Sequence, residues 1–131
     1  MQPFFKAYWL TILWALFIFV MCTAKLGSVE QSPIFFPGFD KLVHCGFFFV
    51  LVVLWACALI IRQNGLFISY KQFIPLAIIA VVYGGVIELL QKYVFTWRDG
   101  AWDDLFADGV GAAMGIFSIF TIFKALNYVK K

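Results

Sequence analysis

The sequence predicts an all-α fold, a bundle of four transmembrane helices that takes up residues 1–131 as a single domain. Three observations predict it. Of the residues, 64% are hydrophobic and only 13% charged, roughly half the charge of a typical soluble domain. The apolar residues gather in four runs, and about 17–25 such residues carry a helix through the hydrocarbon core. No run alternates strongly with a period of two, as a barrel strand would, and unpaired backbone groups are not tolerated in lipid, so each run must be helical.

The first span covers residues 7–24. Lys6, the long apolar stretch and the Cys22-Thr23-Ala24 end resemble a signal peptide cut after Ala24. The apolar run exceeds the usual signal core of about 7–15 residues, so a retained helix is expected. The second and third spans cover residues 42–61 and 73–94. The fourth, residues 105–128, carries one acid, Asp108, in its first turn. Between the first two spans, residues 25–40 include Pro33 and Pro37 and are too apolar for a free tether. They are expected to lie along the headgroup layer or to pack on the bundle. Cys22, Cys45 and Cys57 sit in apolar runs without metal-ligand spacing and read as fillers.

Four spans place the N-terminus, residues 62–72 and the C-terminus on one side. That side holds Lys6, Arg62, Lys71, Lys124, Lys130 and Lys131, and no acid. The other side holds Lys25, Lys41, Lys92 and Arg98 with every acid of the chain: Glu30, Asp40, Glu88, Asp99, Asp103, Asp104 and Asp108. The excess of bases in short loops puts both termini in the cytoplasm. In a bacterium this means the cytoplasmic (inner) membrane, with the acidic face toward the periplasm or cell surface. Tyr8 and Trp9 at one end, and Trp97 and Trp102 at the other, are expected as interfacial belts, with Trp14 and Trp55 as packing residues. A net charge of +3 from scattered bases excludes a nucleic-acid partner.

Three polar segments meet on the acidic side. Asp40 and His44 are one helical turn apart and project to one side; Glu88 and Gln91 are likewise stacked. Asp104, Asp108, Gly111 and Gly115 recur every three or four residues and line one stripe of the fourth helix. Gly111 and Gly115 form a small-residue surface for close helix approach, with Gly84 or Gly85 of the third span as the expected partner. Asp103 reads as a helix N-terminal charge, Asp99 and Glu30 as solvated loop charges. Glu88 and Asp108 are harder to explain by solvation. A carboxylate at membrane depth costs roughly 2.5 kcal/mol or more, so both should face the bundle interior. Expected partners for Glu88 are His44, Lys41 and Arg98. One reading is an ion-pair network that only fixes the bundle. The other is a ligand site in which Asp40 orients His44, and His44 and Glu88 are the acid–base candidates. With one histidine and no usable cysteine, the cluster is not read as a metal centre, although an oxygen-loving cation is the ion it would suit. No cofactor is implied.

The segments "DKLVHCGFFFVLVVL" and "GVIELLQKYVFTWRDGAWDDLFADGVGAAMG" together resemble the VanZ-like family of small bacterial membrane proteins. That pattern runs Asp-Lys-x-x-His, Glu-x-x-Gln, Arg, Asp and Asn-x-x-Gly-x-x-x-Gly. It falls here on Asp40, Lys41, His44, Glu88, Gln91, Arg98, Asp104, Gly111 and Gly115, and it spans about residues 40–115. Where the family most often has Asn, this chain has Asp108, which adds a charge to be protonated or paired with Arg98 or Lys41. The family's namesake is associated with resistance to the glycopeptide teicoplanin, and the resemblance implies a role in the cell envelope.

The leading expectation is a site at the outer interface that binds or modifies a lipid or envelope component. Lys41 and Arg98 suit a phosphate or carboxylate, as on a phospholipid or lipid-linked precursor. Asp40, Gln91, Asp104 and Asp108 would line the same cleft. The alternative is a structural or partner-binding membrane subunit without catalysis, able to oligomerise through its glycine stripe. Proton-coupled transport needs carboxylates nearer the midplane and is the weakest reading.

Overall fold

The computed structural model describes residues 3–25, 36–64, 68–98 and 100–129. They form four helices, α1 (Phe4–Thr23), α2 (Phe39–Gln63), α3 (Tyr70–Tyr93) and α4 (Trp102–Val129), and no strand occurs among the described residues. All four are long and apolar enough to cross a membrane, and the chain is a multi-pass membrane protein. Each helix begins a turn before its apolar run, because helical hydrogen bonding continues through polar residues outside the hydrocarbon. At α3 this extra turn includes a reach-back in which Gln72 Oε1 accepts from the Ser69 backbone N–H at 3.0 Å, satisfying a donor at the helix start. Asn64 follows α2 at φ 48°, a left-handed conformation that ends a helix cleanly, and Gly38 precedes it at φ 85°, a conformation that favours glycine.

The helices run up, down, up and down. Tyr70 of α3 meets Phe120 of α4 at one end, and the α3–α4 turn closes the other. The α2–α4 interface is the most extensive, and the reason lies in the glycine stripe. A Cβ on Gly111 would collide with the Cys45 carbonyl of α2, and one on Gly115 would lie 3.0 Å from Phe49 O and 3.1 Å from Val52. The expected partner of this stripe was α3. Its actual partner is α2, and the glycine of α3 packed on α4 is Gly84, which abuts Asp108. Van der Waals packing is what holds helices together in lipid, so backbone approach at small residues sets the pairing.

Ile18, Phe48, Val52, Ala56 and Ala80 are fully buried between the helices. Leu13, Phe17, Ile78 and Phe117 are among the large apolar side chains on the outer surface, where lipid is the natural solvent. Helix α1 belongs to this core through polar ties as well. Trp14 Nε1 donates to Phe47 O at 3.0 Å, and Tyr83 Oη donates to Ala15 O at 2.5 Å. At the far end Gln91 Nε2 donates to Cys22 O at 2.8 Å and Trp97 Nε1 to Thr23 O at 3.1 Å. Cys22 and Thr23 sit in the last turn of α1, whose carbonyls lack intrahelical donors, so these two bonds complete the helix end.

One expectation for the aromatic residues shifts here. Tyr8 is buried in the bundle rather than placed in a lipid-facing belt, and it stacks on Phe4 beneath the Arg62 guanidinium, 6.0 Å from its ring centre. Trp9, Trp97 and Trp102 are exposed, and Trp14 and Trp55 are half-buried against the core. Glu30, Asp99, Lys130, Lys131 and most of the segment 25–40 lie outside the described residues.

Candidate functional site

Three helices each send one polar side chain to the same depth at the acidic end. His44 comes from the second turn of α2, Glu88 from the last turns of α3 and Asp108 from the second turn of α4. Each lies between one and two turns in from its helix end, about 8 Å at the α-helical rise. They are 5%, 8% and 1% exposed. One ligand-type atom from each lies within 4.8 Å of the other two.

His44 Nδ1 and Asp108 Oδ1 are 2.9 Å apart. This contact replaces two expectations. Asp40 was expected to orient His44, but it stays exposed nearer the water, where its charge is hydrated, and faces Lys41 Nζ at 3.5 Å. Asp108 was expected to pair with Arg98 or Lys41 if charged, and its partner is the histidine. The aspartate fixes the ring and leaves Nε2 uncommitted among the described residues. An aspartate–histidine pair of this kind suits proton transfer to or from a ligand.

Glu88 has one satisfied oxygen. Oε2 accepts from the Ala101 backbone N–H at 2.7 Å, while Oε1 is buried without a hydrogen-bond partner. The backbone donor is delivered by Gly100, where a Cβ would stand 2.6 Å from the carbonyl of Glu88, so the α3–α4 turn can press onto α3 only because residue 100 has no side chain. Among the described residues no Lys or Arg forms an ion pair with Glu88, contrary to the expected pairing with Lys41 or Arg98.

Asp104 sits one turn above Asp108 and is also buried. Its Oδ1 faces Lys41 Nζ at 3.6 Å, beyond hydrogen-bond range, and has no hydrogen bond of its own. Lys41 thus spans Asp40 and Asp104 at the rim. Arg98 is half-buried in the α3–α4 turn, its backbone N–H bonded to Phe95 O at 2.9 Å, with no ion pair among the described residues. Gln91 is buried, and its amide nitrogen serves the end of α1 rather than the cluster.

Beside the cluster a groove of about 400 Å³ opens between α3 and α4. Val86, Leu89 and Leu105 supply apolar wall, Trp102 and Tyr93 flank it, and Glu88 and Lys92 are its charged residues. Lys92 is exposed, one helical turn beyond Glu88, with its Nζ 5.6 Å from the Tyr93 ring centre. Lys92 and Gly100 are site residues that sequence reasoning passed over. The available signals were the i, i+4 spacing of Glu88 and Lys92 and the glycine of the Arg98-Asp99-Gly100 turn.

No protein-family model, curated protein or solved structure matches this chain.

Proposed function

We propose that this chain is a VanZ-like protein of the bacterial inner membrane whose outward face binds the phosphate-bearing headgroup of a lipid or lipid-linked envelope precursor. Both termini lie in the cytoplasm and the acidic end faces the periplasm or cell surface. The observation that carries this reading is the double position of Glu88. It lines the apolar groove between α3 and α4 and also belongs to the buried cluster with His44 and Asp108. An acyl or prenyl chain lies along Val86, Leu89 and Leu105, which brings its headgroup to the level of Lys92 and the polar cluster. Lys92 and Arg98, two cations without ion pairs among the described residues, meet the phosphate at the rim. If a reaction follows, the Asp108–His44 pair and Glu88 supply the acid and base.

The test is a set of His44→Ala, Glu88→Gln and Arg98→Ala variants. Membrane lipid composition and glycopeptide susceptibility are compared with a strain lacking the protein, at matched protein abundance. The reading predicts loss of function at normal abundance, and unchanged function in all three variants refutes it. The second reading, a structural or partner-binding subunit, is favoured by one observation: His44–Asp108 joins α2 to α4 inside the bundle. It predicts that the same substitutions lower abundance instead.

A further inference from the structure

We propose that His44, Glu88 and Asp108 form a binding site for one divalent first-row cation of the Mn2+ class. A single histidine and no usable cysteine do not by themselves mark a metal centre; the support comes from helix packing, which spacing along the chain does not report. Three helices contribute one donor each, and the donor atoms lie within 4.8 Å of one another. The 2.9 Å between His44 Nδ1 and Asp108 Oδ1 matches a hydrogen bond, and it also matches two adjacent ligands. Atoms about 2.1 Å from a cation and at right angles to each other stand about 3.0 Å apart.

The independent observation is the state of Glu88. It is 8% exposed, and its Oε1 has no hydrogen-bond partner in a setting where an unpaired carboxylate oxygen is costly. Its other oxygen is held by the Ala101 N–H, the kind of supporting bond that orients a metal ligand. Charge points the same way. In the deprotonated form that binds a metal, one imidazole and two carboxylates would carry two negative charges, and no Lys or Arg forms an ion pair with Glu88 or Asp108 among the described residues. A divalent cation neutralises the set. Mixed nitrogen and oxygen donors favour a transition ion over Ca2+ or Mg2+, which take oxygen ligands. Three protein donors leave coordination positions for water or a ligand oxygen. The site does not require the lipid reading; while a cation is bound, its three ligands are not free to act as acid and base.

The experiment uses full-length protein in detergent, purified without a histidine tag and stripped with chelator. Mn2+ is added, excess ion is removed by gel filtration, and retained metal is counted. Because His44 is the only histidine in the chain, electron spin-echo modulation from one imidazole nitrogen identifies it as a ligand. The proposal predicts one retained equivalent with that signal. Glu88→Gln and Asp108→Asn should each weaken affinity by roughly tenfold or more, while Asp103→Asn, on an exposed residue, leaves it unchanged. Each variant is first checked for helical content and monodispersity. Should a variant fail to fold, the wild-type imidazole signal decides alone. Failure of the wild type to retain Mn2+, retention without the imidazole signal, or wild-type affinity in folded Glu88→Gln and Asp108→Asn overturns the proposal.

Discussion

Gly84 and Asp108 are a matched pair across the α3–α4 interface. The Cβ that Gly84 lacks would stand 2.5 Å from Asp108 Oδ2 and 3.3 Å from its Cβ and Cγ. The glycine therefore makes the space in which the aspartate reaches His44. Small residues in membrane helices usually bring backbones together; this one makes room for the Asp108 carboxylate.

Gly84→Ala should accordingly disturb the site without altering any charged residue. The new methyl group forces the Asp108 carboxylate to rotate away from His44. Gly85→Ala, one position on, meets nothing within 4 Å and serves as the control. In the phenotypic assay for function, Gly84→Ala should behave like a site variant and Gly85→Ala like wild type, at equal protein abundance.

The His44–Asp108 contact can be weighed by choice of substitution. Asp108→Asn keeps an acceptor for an Nδ1–H donor and should cost at most about 1 kcal/mol of stability, in line with hydrogen bonds measured between membrane helices. Asp108→Leu leaves the buried ring nitrogen unpaired, at about 1–3 kcal/mol. Unfolding in mixed detergent, with His44→Ala combined in a double-mutant cycle, checks both values. Most of the loss in Asp108→Leu should disappear once His44 is removed.

Gly111 tests the α2–α4 seam. A Cβ there meets the Cys45 backbone carbonyl, which cannot swing aside as a side chain does. Gly111→Ala should destabilise the bundle by about 1–3 kcal/mol through overpacking. Gly109→Ala, facing open space in the same helix, should be neutral or stabilising by about 0.5–1 kcal/mol. Thermal unfolding followed by circular dichroism in one detergent distinguishes them.

Orientation has its own test. In a background of Cys22→Ala, Cys45→Ala and Cys57→Ala, an Asp103→Cys variant places a thiol at the exposed start of α4, and Gln63→Cys places one at the exposed end of α2. A membrane-impermeant thiol reagent applied to intact cells should label the first and spare the second. The opposite pattern inverts the proposed topology.

The helices were legible in the sequence because length and apolarity alone decide what can cross a bilayer. The convergence of His44, Glu88 and Asp108 was legible only as a shared end of the bundle. Sequence spacing reports neighbours within a helix, so Asp40, one turn from His44, was the visible partner. The real partner, Asp108, is distant in sequence and is chosen by which helices pack. That choice was hidden for the same reason. Gly111 and Gly115 announce a face for close approach, but their spacing does not say whether α2 or α3 fills it. The role of Gln91 was concealed too, since a buried amide serves a ligand and a helix end equally well on paper.

As proposed, a lipid occupies the α3–α4 groove with its headgroup at the level of Lys92 and the polar cluster. The most direct measurement is cross-linking in membranes with a phospholipid bearing a photoreactive acyl chain, mapped by peptide mass spectrometry. The groove on α1 and α2 lined by Leu13, Leu16, Phe17 and Leu54 has no charged residue among the described residues and serves as the internal reference. Adducts should concentrate at Val86, Leu89 and Leu105 and fall to the reference level in Glu88→Gln combined with Lys92→Ala. Adducts spread equally over both grooves, and unchanged by the double substitution, would contradict it.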